Sequence, residues 1–281
     1  MQKTANPDHQ GYVFDPAWEL ETERLVTNEA IWDPGTFANF EQAGVGPGWD
    51  CLEIGAGAGS AARWLAKRVH GASGDGKGTG TGGTASGGRV VATDVEVTRL
   101  RYLEDHGVEV WRHDISTSDL PEREFDLIHA RMLVQHLADK PAAIRRMIRA
   151  LRPGGVLLLE DTDSLPLFRS ATSEDFLQDI RAAGYGLMRR AGHEPRGGHF
   201  DLAIMLGTSL RAVSAQGRAV MVQGGSPQAR HYMLWLEYMR QKIVAAGLLD
   251  DARIDAAMAE MADPANRWLS QVMISVFGTR S

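Results

Sequence analysis

The fold is decided by one stretch of the sequence, Leu52-Glu53-Ile54-Gly55-Ala56-Gly57-Ala58-Gly59-Ser60. A short apolar strand runs into a glycine-rich turn, and a helix is predicted to follow from Ser60 to Val69. Glycines let the backbone approach a nucleotide-like ligand closely, and the free N–H groups of a helix N-terminus face that ligand. Because nicotinamide-dependent enzymes use similar loops, the turn alone leaves the class of ligand open.

Two residues of this stretch favour a cationic ligand. Ser60 holds the position where the dinucleotide fingerprint expects Gly or Ala. Glu53 lies two residues before the first glycine, where a carboxylate would repel a pyrophosphate. S-adenosylmethionine carries a sulfonium and an ammonium group, so it fits this loop better than NAD does.

Strands alternate with helices on the carboxyl side of the loop. Strands are predicted at 51–54, 89–94, 108–111, 125–128, 156–159, 218–222 and 272–277, and helices at 60–69, 141–151, 173–190, 199–213, 228–246 and 252–262. This alternation is typical of parallel strands joined by right-handed crossovers. The sequence therefore predicts an α/β fold with a doubly wound, mostly parallel, seven-stranded sheet.

We expect the chain, residues 1–281, to form a single domain with three parts. They are a helical N-terminal cap (1–49), a cofactor-binding half (50–165), and a substrate half (166–281) with a helical insert at about 226–262 that covers the site. In the cap, Asp33-Pro34-Gly35 is interpreted as a turn between two short helices. Residues 71–88 are rich in glycine and are predicted to form a flexible surface loop.

Composition excludes several classes of protein. Hydrophobic residues make up 43% of the 281 residues, so wholesale disorder is excluded. A net charge of −6 disfavours a nucleic-acid partner, which usually binds a basic face. Cys51 is the only cysteine, so one chain cannot form a disulfide or a cysteine metal site. With no long apolar run and no signal-peptide pattern, we expect a cytoplasmic protein without a membrane partner.

Acidic residues end the second and third predicted strands. Asp94 stands where a carboxylate commonly accepts both hydrogen bonds of a ribose diol, and Asp114 stands where it can accept from an adenine amino group. The alternative is that both are turn or cap residues.

With these features in place, the sequence resembles the class I S-adenosylmethionine-dependent methyltransferases over roughly residues 20–165. The matching stretches are Leu52–Ser60, Val91-Ala92-Thr93-Asp94, Arg112-His113-Asp114-Ile115, Phe125–Arg131, and Leu151-Arg152-Pro153-Gly154-Gly155. The resemblance is strongest to the bacterial branch that methylates small metabolites. It implies a Rossmann-like methyltransferase fold with an antiparallel last strand.

The resemblance also implies roles for individual residues. The methionine part of the cofactor would be held by Glu53, Gly55, Ala56, Gly57 and Gly59. Asp94 would bind the ribose and Asp114 the adenine edge, with Val95 and Ile115 on either side of the adenine ring. Ala130 and Arg131 would lie beside the sulfonium.

Methyl transfer needs a general base only when the nucleophile is protonated. The candidates for catalysis are His136, which we prefer, His129, and Asp161 in the acidic cluster that closes the fifth strand. Each histidine is equally consistent with a structural role. The acidic cluster could bind a metal with a nearby histidine, but adjacent acids at a strand end commonly cap turns, so no metal is predicted.

Apolar residues are expected to cover the acceptor. The predicted lining residues are Trp18, Trp32, Met132, Tyr232, Trp235 and Tyr238. The aromatic stripe 231–239 is equally consistent with a core helix. The basic segment 187–196 could bind an anionic acceptor, but a helix end attracts cations for electrostatic reasons alone, and this second interpretation is favoured.

The sequence therefore predicts S-adenosylmethionine-dependent methyl transfer to a small-molecule acceptor, with S-adenosylhomocysteine as the product. The acceptor atom (O, N or C) is left open, and the protein is expected to be a monomer or a homodimer. Two alternatives remain: an adenosyl-binding scaffold or regulator without catalysis, and an NAD(P)-dependent oxidoreductase.

Overall fold

The computed structural model describes residues 13–71 and 87–281. Most of the predicted glycine-rich loop, residues 72–86, lies outside the described residues, as do residues 1–12. The numbered elements in chain order are α1 (Glu21–Gln42), β1 (Asp50–Ile54), α2 (Ser60–Val69), β2 (Arg89–Asp94), β3 (Val108–Arg112), β4 (Phe125–Arg131), α3 (Lys140–Ala150), β5 (Leu151–Asp163), α4 (Gln178–Arg190), α5 (Gly197–Leu206), β6 (Arg211–Arg218), β7 (Met221–Gln223), α6 (Pro227–Ala245), α7 (Asp251–Ala262), β8 (Arg267–Leu269) and β9 (Val272–Thr279). Two 3-10 helices cover Thr98–His106 and Val134–His136.

Seven strands form one sheet in the order β3-β2-β1-β4-β5-β9-β6. The first five strands of the chain run parallel, and β9 is antiparallel to both of its neighbours, β5 and β6. The predicted doubly wound, mostly parallel, seven-stranded sheet is therefore confirmed, including the antiparallel last strand. Strand β1, which lies between β2 and β4, is almost wholly buried, as expected of a strand covered on both faces.

The hydrophobic core has three parts. One packs α1 and α2 on one face of the sheet, and a second packs α3 and α5 on the other. The third part is built by α1, α4, α6 and α7 around aromatic residues such as Phe168, Tyr232 and Trp268. The helical insert between β6 and β9 thus shares this third part of the core with α1 and α4.

The N-terminal cap differs from its prediction. Residues Glu21–Gln42 form one helix with Pro34 inside it, rather than two helices joined by a turn at 33–35. Proline removes one helical hydrogen bond. Tertiary contacts on both sides hold this helix in place: Arg131 donates to Asp33, and Thr36 and Asn39 donate to Glu160.

The sixth strand was also placed wrongly. The sheet strand is Arg211–Arg218, whereas Met221 and Val222 of the predicted strand 218–222 lie in β7, which pairs with β8 in a separate two-stranded sheet. Strand β6 is largely exposed, so it lacks a hydrophobic pattern, and the predicted helix 199–213 gives way to it after Leu206. Val222 is buried because it packs against the insert instead.

Two glycines of α4 provide a matched test of packing. A methyl group on Gly184 would lie 2.3 Å from Cζ2 of Trp235, whereas a methyl group on Gly186 would meet no atom within 4 Å. We expect Gly184→Ala to destabilise the protein by about 1–3 kcal/mol through overpacking. Gly186→Ala should stabilise it by about 0.5–1 kcal/mol, because alanine loses less backbone entropy in a helix. Thermal unfolding of both variants measures this, and equal effects would contradict the close packing at Gly184.

Candidate functional site

A cavity of about 620 Å³ opens at the carboxyl ends of β1, β2, β3 and β4. Its floor is formed by segments that directly follow these strands, namely 53–58, 94–96, 113–116 and 131–139. Helices α1, α4 and α6 form the roof through residues that include Arg24, Asn28, Tyr185, Met188, Tyr232 and Trp235. Ligands of open α/β sheets bind at this edge.

The glycine loop forms one end of the cavity. Gly55 and Gly57 line it together with Ala56, and both glycines have positive φ angles, +70° and +62°. Gly59 does not line the cavity. It precedes α2 with a φ of +96°, where a side chain would be 2.9 Å from Leu103 Cδ1. Its role is therefore to shape the turn rather than to contact a ligand.

Asp94 and Asp114 both line the cavity, as the sequence predicted for binding residues. Asp94 accepts hydrogen bonds from the backbone N–H groups of Gly57 (3.3 Å) and Glu96 (3.1 Å), and burial raises the pKa of its carboxyl. Asp114 accepts from the amide (2.8 Å) and the hydroxyl (2.6 Å) of Ser116. Both carboxylates also hold the turns in which they lie. The same geometry is therefore compatible with the alternative interpretation, in which Asp94 and Asp114 are turn residues.

Three more predicted binding residues, Val95, Ile115 and Arg131, line the cavity. The Arg131 guanidinium donates to Asp33 Oδ1 at 3.0 Å, so its charge is paired within the protein. Ala130 does not line the cavity, because its side chain is buried in the core of the sheet. Its predicted place beside the sulfonium stays a prediction.

A row of buried charges crosses the sheet beneath the cavity. His129 Nδ1 lies 2.5 Å from Glu53 Oε2, and His129 Nε2 lies 3.0 Å from Glu160 Oε2. The His129 side chain is fully buried, and the carboxylates are at most 3% exposed. Glu160 also accepts from Thr36 and Asn39 of α1 and from Ser275 of β9. We call Glu53, His129 and Glu160 the buried charge row.

The pKa values of His129 and Glu160 are shifted in opposite directions. Burial alone would lower the pKa of His129, but the two carboxylates outweigh it and raise the pKa to about 9. Burial would raise the pKa of Glu160, but hydrogen bonding and attraction to His129 lower it to about 2. His129 is therefore an imidazolium with both nitrogens engaged, and it does not line the cavity. Its candidacy as a base is corrected, since it has no lone pair to accept a proton.

Glu53 has a structural role in addition to the predicted one, which stays a prediction. The residue lines the cavity, but one carboxylate oxygen is bound to His129 rather than left for a cationic ligand. Its charge is largely balanced by the imidazolium.

His136 is the candidate base that lines the cavity. It ends the 3-10 helix Val134–His136, and its Nε2 lies 3.3 Å from Nε2 of Gln135. Oε1 of Gln135 accepts from the amide and the hydroxyl of Thr162, so the amide group facing His136 is the donor. Neutral His136 consequently keeps its lone pair on Nε2. The His193 ring lies 5.0 Å away and also lines the cavity.

Asp161 is not a cavity residue, which corrects its assignment to catalysis. It is buried, accepts from the backbone N–H of Gln135, and lies within hydrogen-bonding reach of Asp201 of α5. Burial and the neighbouring carboxyl raise the pKa of Asp201 well above its usual range. Because Asp161 Oδ1 and both Asp201 oxygens have no other partner among the described residues, the pair shares a proton.

This carboxyl pair predicts a stabilising substitution. An acid whose pKa is raised in the folded state stabilises the fold below its unfolded pKa of about 3.8, and this contribution is lost as pH rises. Asp201→Asn stays neutral and can donate to Asp161, so we expect it to raise stability at pH 7 by about 1–3 kcal/mol. Denaturant unfolding at pH 4 and pH 7 measures this, with the exposed Asp175→Asn as control. A less stable Asp201→Asn at pH 7 would contradict the shared proton.

Three of the six residues predicted to line the acceptor site line the cavity. Met132, Tyr232 and Trp235 line the cavity, whereas Trp18, Trp32 and Tyr238 do not. The Tyr238 hydroxyl instead donates to the Val13 carbonyl and accepts from the Asp15 amide. Sequence reasoning singled out the segments 187–196 and 231–239, which hold the cavity residues Met188, His193 and His231, but it missed Phe14, Arg24, Tyr185 and Gln271. The missed residues are far apart in the sequence, and no local pattern links them.

Within residues 13–71 and 87–281, no group of three or more His, Cys, Asp or Glu side chains is arranged to hold a metal ion. None of the helices in this part of the chain has both the length and the apolar character needed to cross a membrane.

Comparison with known proteins gives a family and several relatives. The family model described as a methyltransferase domain matches residues 33–200. A phosphoethanolamine N-methyltransferase of Triticum aestivum is 28% identical over 50% of this chain, and the match covers 25% of that protein. The ubiquinone/menaquinone biosynthesis C-methyltransferase UbiE of Laribacter hongkongensis is 32% identical over 56% of this chain and 63% of its own length.

Among solved structures, one similar protein is phosphoethanolamine N-methyltransferase 2 of Haemonchus contortus, in complex with phosphomonomethylethanolamine and S-adenosylhomocysteine. It has a TM-score of 0.54 and 17% identity, with 93% of this chain and 58% of that chain covered. At this identity the likeness is one of fold. The match covers only a quarter of the Triticum aestivum protein. The substrates named for these relatives therefore describe those proteins and are not carried over to this chain.

Proposed function

The chain belongs to the methyltransferase domain family, and on that premise we propose that it transfers the methyl group of S-adenosylmethionine to a small-molecule acceptor. One observation carries this proposal above the others. A single cavity has the glycine loop, Asp94 and Asp114 at one end and a roof of aromatic and sulfur-containing side chains at the other. It therefore offers one end to a nucleoside and the other to an acceptor.

The residues at the first end fit S-adenosylmethionine. Gly57 approaches the cavity without a side chain, and Asp94 is held by two backbone amides at the position where it would bind the ribose diol. Asp114 would accept from the adenine amino group, and Val95 and Ile115 would enclose the ring. Glu53 keeps the floor near the methionine part acidic, although one of its carboxylate oxygens is bound to His129.

When bound, S-adenosylmethionine supplies an electrophilic methyl carbon with a neutral thioether as leaving group. The chain contributes alignment and exclusion of water, which are worth effective molarities of about 10⁵–10⁸ M for well-placed reactants. The roof residues Met188, Tyr232 and Trp235 are buried, so they can keep water from the acceptor. His136, with its lone pair on Nε2, is proposed as the base for a protonated acceptor.

Two alternatives are tested by the same experiments. An NAD(P)-dependent oxidoreductase would bind NAD, and a non-catalytic scaffold would bind S-adenosylhomocysteine without turning over any acceptor. We also propose a cytoplasmic location, supported by a single, buried cysteine, and a monomeric or homodimeric state with no nucleic-acid or membrane partner.

Asp94→Ala is expected to weaken S-adenosylhomocysteine binding by about 1.5–3 kcal/mol, or roughly 10- to 150-fold, because it removes an acceptor bonded to the ligand. Isothermal titration calorimetry measures this, with the exposed Asp105→Ala as a control that should bind like wild type. Unchanged affinity in Asp94→Ala would refute the ribose assignment. Binding of NAD alone by the wild-type protein would refute the proposed function.

A further inference from the structure

A row of three neutral side chains ends at the acceptor side of the cavity. The Tyr232 hydroxyl donates to Oε1 of Gln271 at 2.7 Å, and Nε2 of Gln271 donates to the hydroxyl oxygen of Tyr185 at 2.7 Å. Tyr232 and Gln271 are 1% and 4% exposed. All three residues line the cavity. The direction in which these hydrogen bonds are donated matters, since it decides where the hydroxyl hydrogen of Tyr185 can point.

The hydrogen bonds are donated from Tyr232 towards Tyr185. Tyr232 contacts the rings of Phe168 and Trp268, with centroids 5.6 and 6.1 Å away, and its O–H donates to the Gln271 side-chain carbonyl. The amide then presents its N–H to Tyr185, whose oxygen accepts. The O–H of Tyr185 therefore points away from Gln271. Burial raises the pKa of Tyr185 to about 12, so this hydroxyl keeps its proton and is a donor.

The cationic side chains that line the cavity already have partners. Arg24 forms two 2.7 Å hydrogen bonds with Glu21, Arg131 is paired with Asp33, and Arg99 donates to the carbonyl of Pro16. A phosphate dianion is recognised by cationic donors with charge to spare. Among the residues that the structure describes, the lining of the cavity provides no such cation.

The two rings that contact Tyr185, those of His193 and Trp235, are uncharged, and the nearby Arg181 guanidinium does not line the cavity. Burial and the nearby His136 lower the pKa of His193 to about 3, so His193 is neutral. Its ring lies 5.6 Å from the Tyr185 ring and 5.0 Å from the His136 ring, so both residues contact His193. Trp235, 5.5 Å from the Tyr185 ring, adds a flat apolar wall. Such a lining suits a planar neutral ligand.

We infer that the acceptor is an uncharged aromatic hydroxy compound, and that Tyr185 donates a hydrogen bond to the oxygen that becomes methylated. This inference rests on the proposed methyl transfer. The acceptor O–H gives its proton to His136, the oxygen forms a bond to the methyl carbon, and the carbon–sulfur bonding pair leaves on sulfur. Tyr185 thereby favours oxygen acceptors and selects against an ammonium group, which has no lone pair to accept its hydrogen bond.

The test compares 1-naphthol with 1-methylnaphthalene, which replaces the hydroxyl by a methyl group. Binding of both to the S-adenosylhomocysteine complex is measured by calorimetry for the wild type and for Tyr185→Phe. We expect the wild type to bind 1-naphthol about 3- to 15-fold more tightly than 1-methylnaphthalene, the size of one net hydrogen bond. Tyr185→Phe should lose most of this preference and keep its affinity for 1-methylnaphthalene within about twofold.

Each outcome points to a different conclusion. Equal affinity of the wild type for the two ligands, or an unchanged preference in Tyr185→Phe, overturns the role of Tyr185. Methylation of phosphoethanolamine without binding of 1-naphthol overturns the acceptor class and leaves methyl transfer intact. Failure to bind S-adenosylhomocysteine overturns the proposed function itself. The comparison in the wild type decides the acceptor class even if the variant unfolds.

Discussion

His129→Leu is expected to lower the free energy of unfolding at pH 6–7 by about 3–5 kcal/mol. The substitution removes the imidazolium from between Glu53 and Glu160 and leaves two carboxylates buried without a cation. Burying an unpaired charge costs far more than losing the packing of one ring, since leucine is of similar size. Denaturant unfolding of the wild type and the variant at the same pH measures the difference.

The buried charge row also predicts the shape of the pH dependence. The pKa of His129 is about 9 in the folded protein against 6.5 unfolded, so its contribution is complete below 6.5 and lost as pH rises through 9. The pKa of Glu160 is about 2 against 4.5, so its contribution is complete above 4.5 and lost as pH falls through 2. The stability advantage of the wild type over His129→Leu should therefore be largest between about pH 4.5 and 6.5.

Two controls separate charge from packing. His231 is also buried, but burial lowers its pKa to about 3, so it is neutral and His231→Leu should cost under about 2 kcal/mol. Adding Glu160→Gln to His129→Leu should recover part of the loss, because one stranded carboxylate is removed. If His129→Leu and His231→Leu cost the same, the imidazolium assignment is wrong.

The parts of the fold that could be predicted are those with a local signal. Strands β1 to β5 are short apolar runs that end in turn residues, and the Gly55–Gly59 turn shows where the chain enters α2. Strand β6 has no such signal because it lies at an exposed edge of the sheet. Helix α1 continues through Pro34 because contacts far along the chain, to Arg131 and Glu160, hold both halves.

The residues of the candidate site also divide into those with a local sequence signal and those without one. Asp94 and Asp114 could be found because acids at the carboxyl ends of parallel strands must meet at one edge. The pairing of Glu53 with His129 depends on the register of β1 against β4, which places them side by side. A signal was present, since Glu53, His129 and Glu160 are polar residues inside otherwise apolar strands. Tyr185, His193 and Gln271 carried no comparable signal, because they meet only through the packing of α4 and β9 on the cavity.

The second large effect is expected at His136, the proposed base. His136→Ala should lower the methylation rate of a hydroxyl acceptor by roughly 10²–10⁴, the usual contribution of a positioned general base. The hydrogen bond from Gln135 keeps the basic lone pair on Nε2, and its length of 3.3 Å makes it weak enough for an acceptor O–H to replace it. Release of S-adenosylhomocysteine across a panel of phenols measures the rate.

His199→Ala is the matched control, because His199 is an exposed histidine that does not line the cavity, and its rate should equal that of the wild type. Since His136 takes a proton from the acceptor and does not bind the nucleoside, S-adenosylhomocysteine affinity should stay within about threefold in both variants. The loss should also shrink at high pH, where a phenol acceptor ionises without help. A drop smaller than tenfold at neutral pH would mean that alignment within the cavity, rather than proton removal by His136, supplies most of the catalysis.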